Sequence, residues 1–203
     1  MSKILCYGGS FDPIHLGHLR CARVVAETAG FDKVMLIPCA QSPLKQASAD
    51  GASAVDRLAM CKLVASGDEI FQINDLELQR GGRSFTIDTI RQLKQQGMAP
   101  IYWLIGTDQL AALPQWHQPQ ALVQEAALVI MNRAGYAIDW SRLPQWMQVL
   151  RSNVIEIPPV DISSTEIRSK VARGESIAGL VPIEVEQYIR QRRLYRERRG
   201  DPL

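Results

Sequence analysis

The chain is predicted to fold as an α/β protein: an open, mostly parallel sheet flanked by helices. Three observations predict it. Apolar runs of strand length recur along the chain, each stopped by Gly, Pro or polar residues. Stretches with helical apolar spacing separate them, the pattern of strand–helix–strand units, parallel pairing and right-handed crossovers. Finally, 203 residues of which 46% are hydrophobic suffice for a full core. Residues 1–203 are therefore expected to form a single domain, with a helical C-terminal segment at about 163–195 and a short basic tail.

The elements follow in order. Ile4-Leu5-Cys6-Tyr7 is a buried strand stopped by Gly8-Gly9. Pro13 suits a helix start, because a first-turn residue needs no N–H. Leu16 to Ala29 carries Leu16, Leu19, Ala22, Val25 and Ala26 on one face, with Gly30 as its stop. Val34-Met35-Leu36-Ile37 is a second strand, ended by Pro38. A loop from Gln41 to Ala52 precedes a helix from Ser53, a plausible N-cap, to Ser66. Ile70 to Ile73 is a short strand. Asp75 to Gln79 alternates Leu76 and Leu78 with Glu77 and Gln79, which suggests a half-exposed strand. Ser84-Phe85-Thr86 introduces a helix to Gln96, closed by Gly97. Ile101 to Ile105 is the clearest central strand, and Ala127 to Met131 is another. Trp140 to Leu150 reads as a peripheral helix, Val154 to Ile157 as the last strand and Pro182 to Arg193 as the final helix.

Composition narrows the function classes. Charged residues are 22% of the chain and the net charge is +2, which argues against bulk nucleic-acid binding. Arg190, Arg192, Arg193, Arg196, Arg198 and Arg199 read as a solvated last helix and tail. Cys6, Cys21, Cys39 and Cys61 form no C-x-x-C pair and sit in or beside apolar segments, as small core residues in a reducing compartment would. No run approaches the ~20 apolar residues of a membrane span, and Lys3 followed by a strand is no secretory signal. The expectation is a cytoplasmic protein with neither membrane nor nucleic-acid partners; a homo-oligomer is left open.

The chemistry concentrates in Gly8-Gly9-Ser10-Phe11-Asp12-Pro13-Ile14-His15-Leu16-Gly17-His18. The glycines clear side chains where a ligand's phosphates could approach the backbone. His15 and His18, three apart, are expected on one face of a helix N-terminus, where free N–H groups and the macrodipole attract anions. Two imidazoles there can donate to phosphate oxygens and stabilise developing charge. Half of a metal site is the rival reading, but no further ligands stand nearby and H-E-x-x-H is absent, so no protein metal site is expected. Neither G-x-G-x-x-G nor G-x-x-x-x-G-K-[ST] occurs. Two further stretches would lie at the ligand edge. Asp108, after Ile105-Gly106-Thr107, offers two acceptors to a ribose hydroxyl or caps the next helix. Ser163-Ser164-Thr165 begins a helix, and Ser163 with Glu166 fits a capping box; the same hydroxyls, with Arg168 one turn on, make a phosphate cradle.

The first motif resembles the H-x-G-H signature of the nucleotidyltransferase superfamily. With Ile105-Gly106-Thr107-Asp108, Leu113-Pro114-Gln115-Trp116 and Ile162-Ser163-Ser164-Thr165-Glu166-Ile167-Arg168, the chain resembles bacterial nicotinate-nucleotide adenylyltransferases over essentially its whole length. The resemblance implies a Rossmann-like fold of nucleotidyltransferase type. It implies transfer of AMP from ATP to nicotinate mononucleotide, giving the dinucleotide and pyrophosphate in NAD biosynthesis, with Mg²⁺ carried in on ATP. The implied catalytic residues are His15 and His18. ATP would meet Gly8, Gly9, Ser10, Phe11, His15, His18, Gly106, Asp108, Ile162, Ser163, Ser164, Thr165 and Arg168. The mononucleotide would meet Lys45, Ser84, Thr86, Asp108, Trp116, His117 and Arg133, with Trp116 stacked on the nicotinate ring.

Four positions depart from the family pattern: Ser42 and Leu44 stand where Pro and His are usual, His117 where Tyr is frequent, and Ala134 where Pro is usual. Two other acceptors, nicotinamide mononucleotide and phosphopantetheine, are the nearest alternatives. A non-catalytic nucleotide-binding regulator is the alternative from another class. A class I aminoacyl-tRNA synthetase fragment would need a Lys-Met-Ser-Lys-Ser motif, which is missing.

Overall fold

The computed structural model describes residues 2–43, 51–133 and 135–196. Six strands form one parallel sheet: β1 (Ile4–Gly9), β2 (Lys33–Pro38), β3 (Phe71–Ile73), β4 (Tyr102–Gly106), β5 (Ala127–Arg133) and β6 (Val154–Ile157). The spatial order is β3-β2-β1-β4-β5-β6. The chain winds outward from β1 through β2 to β3, then returns to place β4 on the other side of β1. The C-terminal ends of β1 and β4 therefore flank the point where winding reverses, and in open α/β sheets a ligand crevice opens there.

Because successive strand residues face opposite sides, the buried strands feed two cores. Leu5, Tyr7, Val34, Leu36, Leu104 and Val129 face one layer. It holds α1 (Leu16–Ala29), α2 (Ala54–Gly67), α7 (Ser164–Ala172) and α8 (Ile183–Gln191). Cys6, Met35, Ile37, Trp103, Ile105, Leu128 and Ile130 face the other. That layer holds α3 (Leu76–Arg80), α4 (Thr86–Gln95), α5 (Thr107–Ala112) and α6 (Pro119–Glu125). The α/β class and the parallel sheet are as expected.

The helix ends follow local chemistry. Gly30 closes α1 in the left-handed conformation (φ 66°), which costs glycine little. Ser53 caps α2, its Oγ accepting from the Asp56 N–H at 3.1 Å.

Three expectations are corrected. Asp75 to Gln79 is not a strand: α3 runs Leu76–Arg80, burying adjacent Leu76 and Glu77. Strand geometry would put those neighbours on opposite faces, whereas Glu77 reaches the Thr89 hydroxyl of α4 at 2.5 Å. Trp140 to Leu150 is two 3₁₀ segments, Trp140–Arg142 and Gln145–Asn153, split by Pro144. Pro13 lies before the helix rather than in its first turn: α1 has the expected bounds, Leu16–Ala29, with His15 as its N-cap.

Leu104 lies at the centre of the sheet and is 1% exposed. Leu104→Ala is expected to lower the unfolding free energy by about 2–5 kcal/mol. Urea titration checks this, and a loss well under 1 kcal/mol would contradict close packing of that core.

Candidate functional site

The β1 edge is built by close packing. A Cβ on Gly8 would lie 2.5 Å from Cζ2 of Trp103, and one on Gly9 would lie 3.0 Å from the Phe11 ring. The glycines thus admit two large rings beneath the turn. Phe11, with φ 48°, turns its ring into the core. There it meets Tyr7 and His18 edge-on, with centroids 5.5 and 5.3 Å away. Phe11 therefore offers a ligand only its backbone.

His15 and His18 are brought together, but not as two residues of one helical turn. His15 stands outside the helix, 5% exposed. Its Nδ1 accepts the His18 N–H at 3.3 Å, so the imidazole takes the place of a Ser or Asp cap. The two rings stack 3.7 Å apart at 23°. Burial lowers the His15 pKa from 6.5 to about 4. At neutral pH the ring is therefore uncharged, and with Nδ1 accepting, its proton sits on Nε2 as a donor. Gly17 explains the motif's spacing. A Cβ there would lie 2.9 Å from Nδ1 and Cε1 of His15 and 3.3 Å from Cβ of Ile162.

Ile162 belongs to the segment leading into α7, which docks on this turn. The Ser164 hydroxyl donates to the Pro13 carbonyl at 3.0 Å, and the Arg168 guanidinium donates to the Asp12 carbonyl at 2.7 Å. Ser163 caps α7, its Oγ accepting from the Glu166 N–H at 3.1 Å. Ser163 and Thr165 are exposed beside it. The α7 N-terminus, with its outward N–H groups, thus meets the histidine turn; this arrangement suits a polyphosphate.

Of the two readings of Asp108, the helix cap does not hold. Gly106, not Asp108, is the N-cap of α5, and the Gly106 N–H donates to Gln109 Oε1 at 2.9 Å. A Cβ on Gly106 would lie 2.6 Å from Asp108 Oδ1, so glycine lets the carboxylate fold over the end of β4. The Asp108 carboxylate is exposed there.

A second group lies on the α4 side. The Ser84 Oγ accepts the Ala40 N–H at 2.9 Å, and the Ser84 N–H donates to the Gln41 carbonyl at 2.9 Å. These bonds tie the segment before α4 to the chain leaving β2. Phe85 packs on His117, with ring centroids 4.5 Å apart. Trp116, after a 3₁₀ turn at Leu113–Gln115, packs half-buried against the second core. Its Nε1 is buried without a hydrogen-bond partner among the described residues. Thr86 is the first residue of α4. Arg133 ends β5. Lys45, with Leu44, lies outside the described residues.

Three supporting residues escaped the sequence reading. Arg57, 7% exposed, donates to the carbonyls of Ser10 at 2.6 Å and Cys39 at 2.7 Å, and to that of Ala40 at 3.3 Å. It thereby clamps the ends of β1 and β2. Glu77 is buried beneath Ser84, and burial raises its pKa against hydrogen bonds from Thr89 and Ser84. Asp12 was in plain view in the motif, but its contacts arrive from residues far along the chain. Among the described residues no group of three or more His, Cys, Asp or Glu could hold a metal. Among them, too, no helix is long and apolar enough to cross a membrane.

The cytidylyltransferase-like family profile matches residues 6–170. That match spans most of the chain and defines the class: a nucleotidyltransferase of the Rossmann-like type. A protein of Herpetosiphon aurantiacus is 41% identical over 198 residues, covering 96% of this chain and 99% of its own. One of Bordetella petrii is 42% identical over 203 residues, covering 97% and 100%. Both bear the name "Probable nicotinate-nucleotide adenylyltransferase". The Plasmodium falciparum nicotinic acid mononucleotide adenylyltransferase, solved with NaAD, superposes with a TM-score of 0.76 at 22% identity. It covers 96% of this chain and 98% of its own, and it attests the fold. This chain belongs to the nicotinate-nucleotide adenylyltransferase family.

The His15 geometry has a pH signature. The folded-state pKa lies below the ordinary 6.5, near 4. As pH falls through that window the unfolded chain takes up the proton first. The ring's contribution to stability is thus whole above about pH 6.5 and is lost progressively toward pH 4. NMR titration should find His15 neutral and Nε2-protonated down to about pH 5. In Gly17→Ala, whose methyl group displaces the ring, the pKa should rise toward its ordinary value. An unchanged titration in that variant would contradict the packing account.

Proposed function

We infer that the chain transfers the adenylyl group of ATP to the phosphate of nicotinate mononucleotide, forming nicotinate adenine dinucleotide and pyrophosphate. The observation that carries this is the docking of the α7 N-terminus on the histidine turn through Ser164 and Arg168. Its outward N–H groups, two hydroxyls and two imidazoles offer donors on both sides of one polyphosphate. The names of the relatives supply the acceptor.

A phosphate oxygen of the mononucleotide attacks the α-phosphorus of ATP. The bond from that phosphorus to the oxygen bridging to the β-phosphate breaks, and pyrophosphate leaves with the electron pair. With a second pKa near 6 the attacking phosphate is largely ionised at pH 7, so no general base is required. What remains is positioning two anions and stabilising charge. We assign His15 as a neutral Nε2 donor and His18 as its stacked partner at the α-phosphate. Ser163, Thr165 and the α7 N–H groups take the β- and γ-phosphates. Arg168, whose Nη1 donates to the Asp12 carbonyl and whose Nη2 donates to the Thr165 hydroxyl at 3.5 Å, offers its remaining N–H groups to phosphate. Asp108 takes a ribose hydroxyl, and Trp116 with His117, Ser84 and Thr86 borders the pyridine ring. ATP enters with a divalent cation, which we take as Mg²⁺. As usual for a cation carried on a nucleotide, phosphate oxygens and water would supply most of its ligands. Cys6, Cys21, Cys39 and Cys61 form no disulfide among the described residues, which fits the reducing cytoplasm we propose.

Pyrophosphate release with Mg-ATP, compared across nicotinate mononucleotide, nicotinamide mononucleotide and phosphopantetheine, tests the reading. The nicotinate substrate should far exceed both others. Silence with all three despite ATP binding would overturn the enzyme assignment. His18→Ala should lower kcat by roughly 10²–10³-fold; near-normal turnover would remove His18 from the mechanism. Trp116→Ala should instead weaken mononucleotide binding by ~1–3 kcal/mol, judged from base stacking. A change confined to ATP affinity would mean the subsites are reversed.

A further inference from the structure

Tyr195 lies beyond α8, 183 residues from Asp12, yet its hydroxyl donates to Asp12 Oδ1 at 2.8 Å. The same oxygen accepts the Ala52 N–H at 2.9 Å. The Asp12 carbonyl receives Arg168 at 2.7 Å. One residue of the histidine turn therefore collects α7, the segment before α2 and the chain beyond α8.

The approach of Tyr195 is specific. After α8 the chain reverses through Arg193 at φ 53° and Tyr195 at φ 61°. Non-glycine residues hold left-handed backbone only where surrounding contacts over-determine it. Here the Leu194 N–H returns to the Ile189 carbonyl at 3.0 Å, and Tyr195 is 7% exposed. Burial, with the Asp12 carboxylate beside it, raises the phenol pKa, so the hydroxyl stays a donor. Just upstream, Tyr188 Oη and Arg192 Nε donate to Asp56 Oδ1 at 2.9 and 3.2 Å. Asp56 adjoins Arg57, the clamp on Ser10, Cys39 and Ala40. The end of α8 thus backs the histidine turn both directly and through α2.

We propose that Tyr195 is a positioning residue for adenylyl transfer, holding Asp12 so that the His15–His18 turn, Arg168 and the start of α2 keep one arrangement. This rests on the functional reading above. Tyr195 acts through Asp12 and the turn behind the imidazoles. Packing alone would be satisfied by Phe, which fills the same space; the hydroxyl adds a side-chain donor to the Ala52 N–H in aiming the carboxylate.

The test is Tyr195→Phe, Asp12→Ala and their combination in the full chain. Steady-state kinetics are normalised to the folded fraction by circular dichroism below each variant's Tm. Tyr195→Phe should lower kcat about tenfold, the scale expected of a small misplacement, while KM for both substrates stays within about twofold. In the Asp12→Ala background, which lacks the accepting oxygen, it should have no further effect on kcat. Unchanged kcat in folded Tyr195→Phe, or two losses that multiply, would overturn the proposal. The NMR signals of His15 provide an activity-free readout: they should shift in Tyr195→Phe, and identical signals would again overturn it. A wild-type chain silent with every acceptor would defeat the functional reading alone, and the His15 signals would then decide the positioning.

Discussion

The carbonyls of Asp12 and Pro13 are where the two ends of this chain meet. Arg168 donates to one and Ser164 to the other. Those residues are separated from the turn by 156 and 151 positions, so the contact exists only because β1 is central and α7 returns over it. Without these bonds, the turn after β1 and the N-terminus of α7 would be two weak anion sites. With them, the two lie together beside the point where the sheet's winding reverses, the place we propose for the phosphates. A buried carbonyl lacking a partner is costly, so the docking satisfies the backbone as it builds the site.

Small residues make this closeness possible. Gly8 admits Trp103, Gly9 admits Phe11, Gly17 admits both the His15 ring and Ile162, and Gly106 admits the Asp108 carboxylate. In the His-x-Gly-His spacing the first imidazole caps the helix and the second stacks on it. The intervening glycine leaves room for the first ring to fold back. The motif thus specifies a packing arrangement as much as a set of donors. Neutral His15 follows from it, because a ring that is both buried and accepting at Nδ1 disfavours a second proton.

Much of the fold was legible because long apolar runs and capped helices are local signals. The strands and α1, α2, α4 and α8 fall close to where periodicity put them. Leu76–Arg80 misled because five residues are too few to separate an alternating pattern from a helical one, and only the burial of adjacent Leu76 and Glu77 decides it. His15 misled because helix capping by imidazole leaves no sequence signature distinct from a helical residue. In the site, the histidine turn and the hydroxyl-rich start of α7 could be read, since each is a contiguous motif. Arg57, Asp12 and Tyr195 could not be given roles, because their roles are set by distant partners. Tyr195 meets Asp12 from across nearly the whole chain.

The central claim is that both ends of the chain form one phosphate site. The most direct measurement is an NMR titration of ¹⁵N-labelled protein with a non-hydrolysable ATP analogue, following the amides of Gly9 and Ser10 alongside those of Thr165 and Glu166. The account predicts that both sets shift together and saturate with one Kd. Movement of one set alone, or two distinct binding constants, would contradict it.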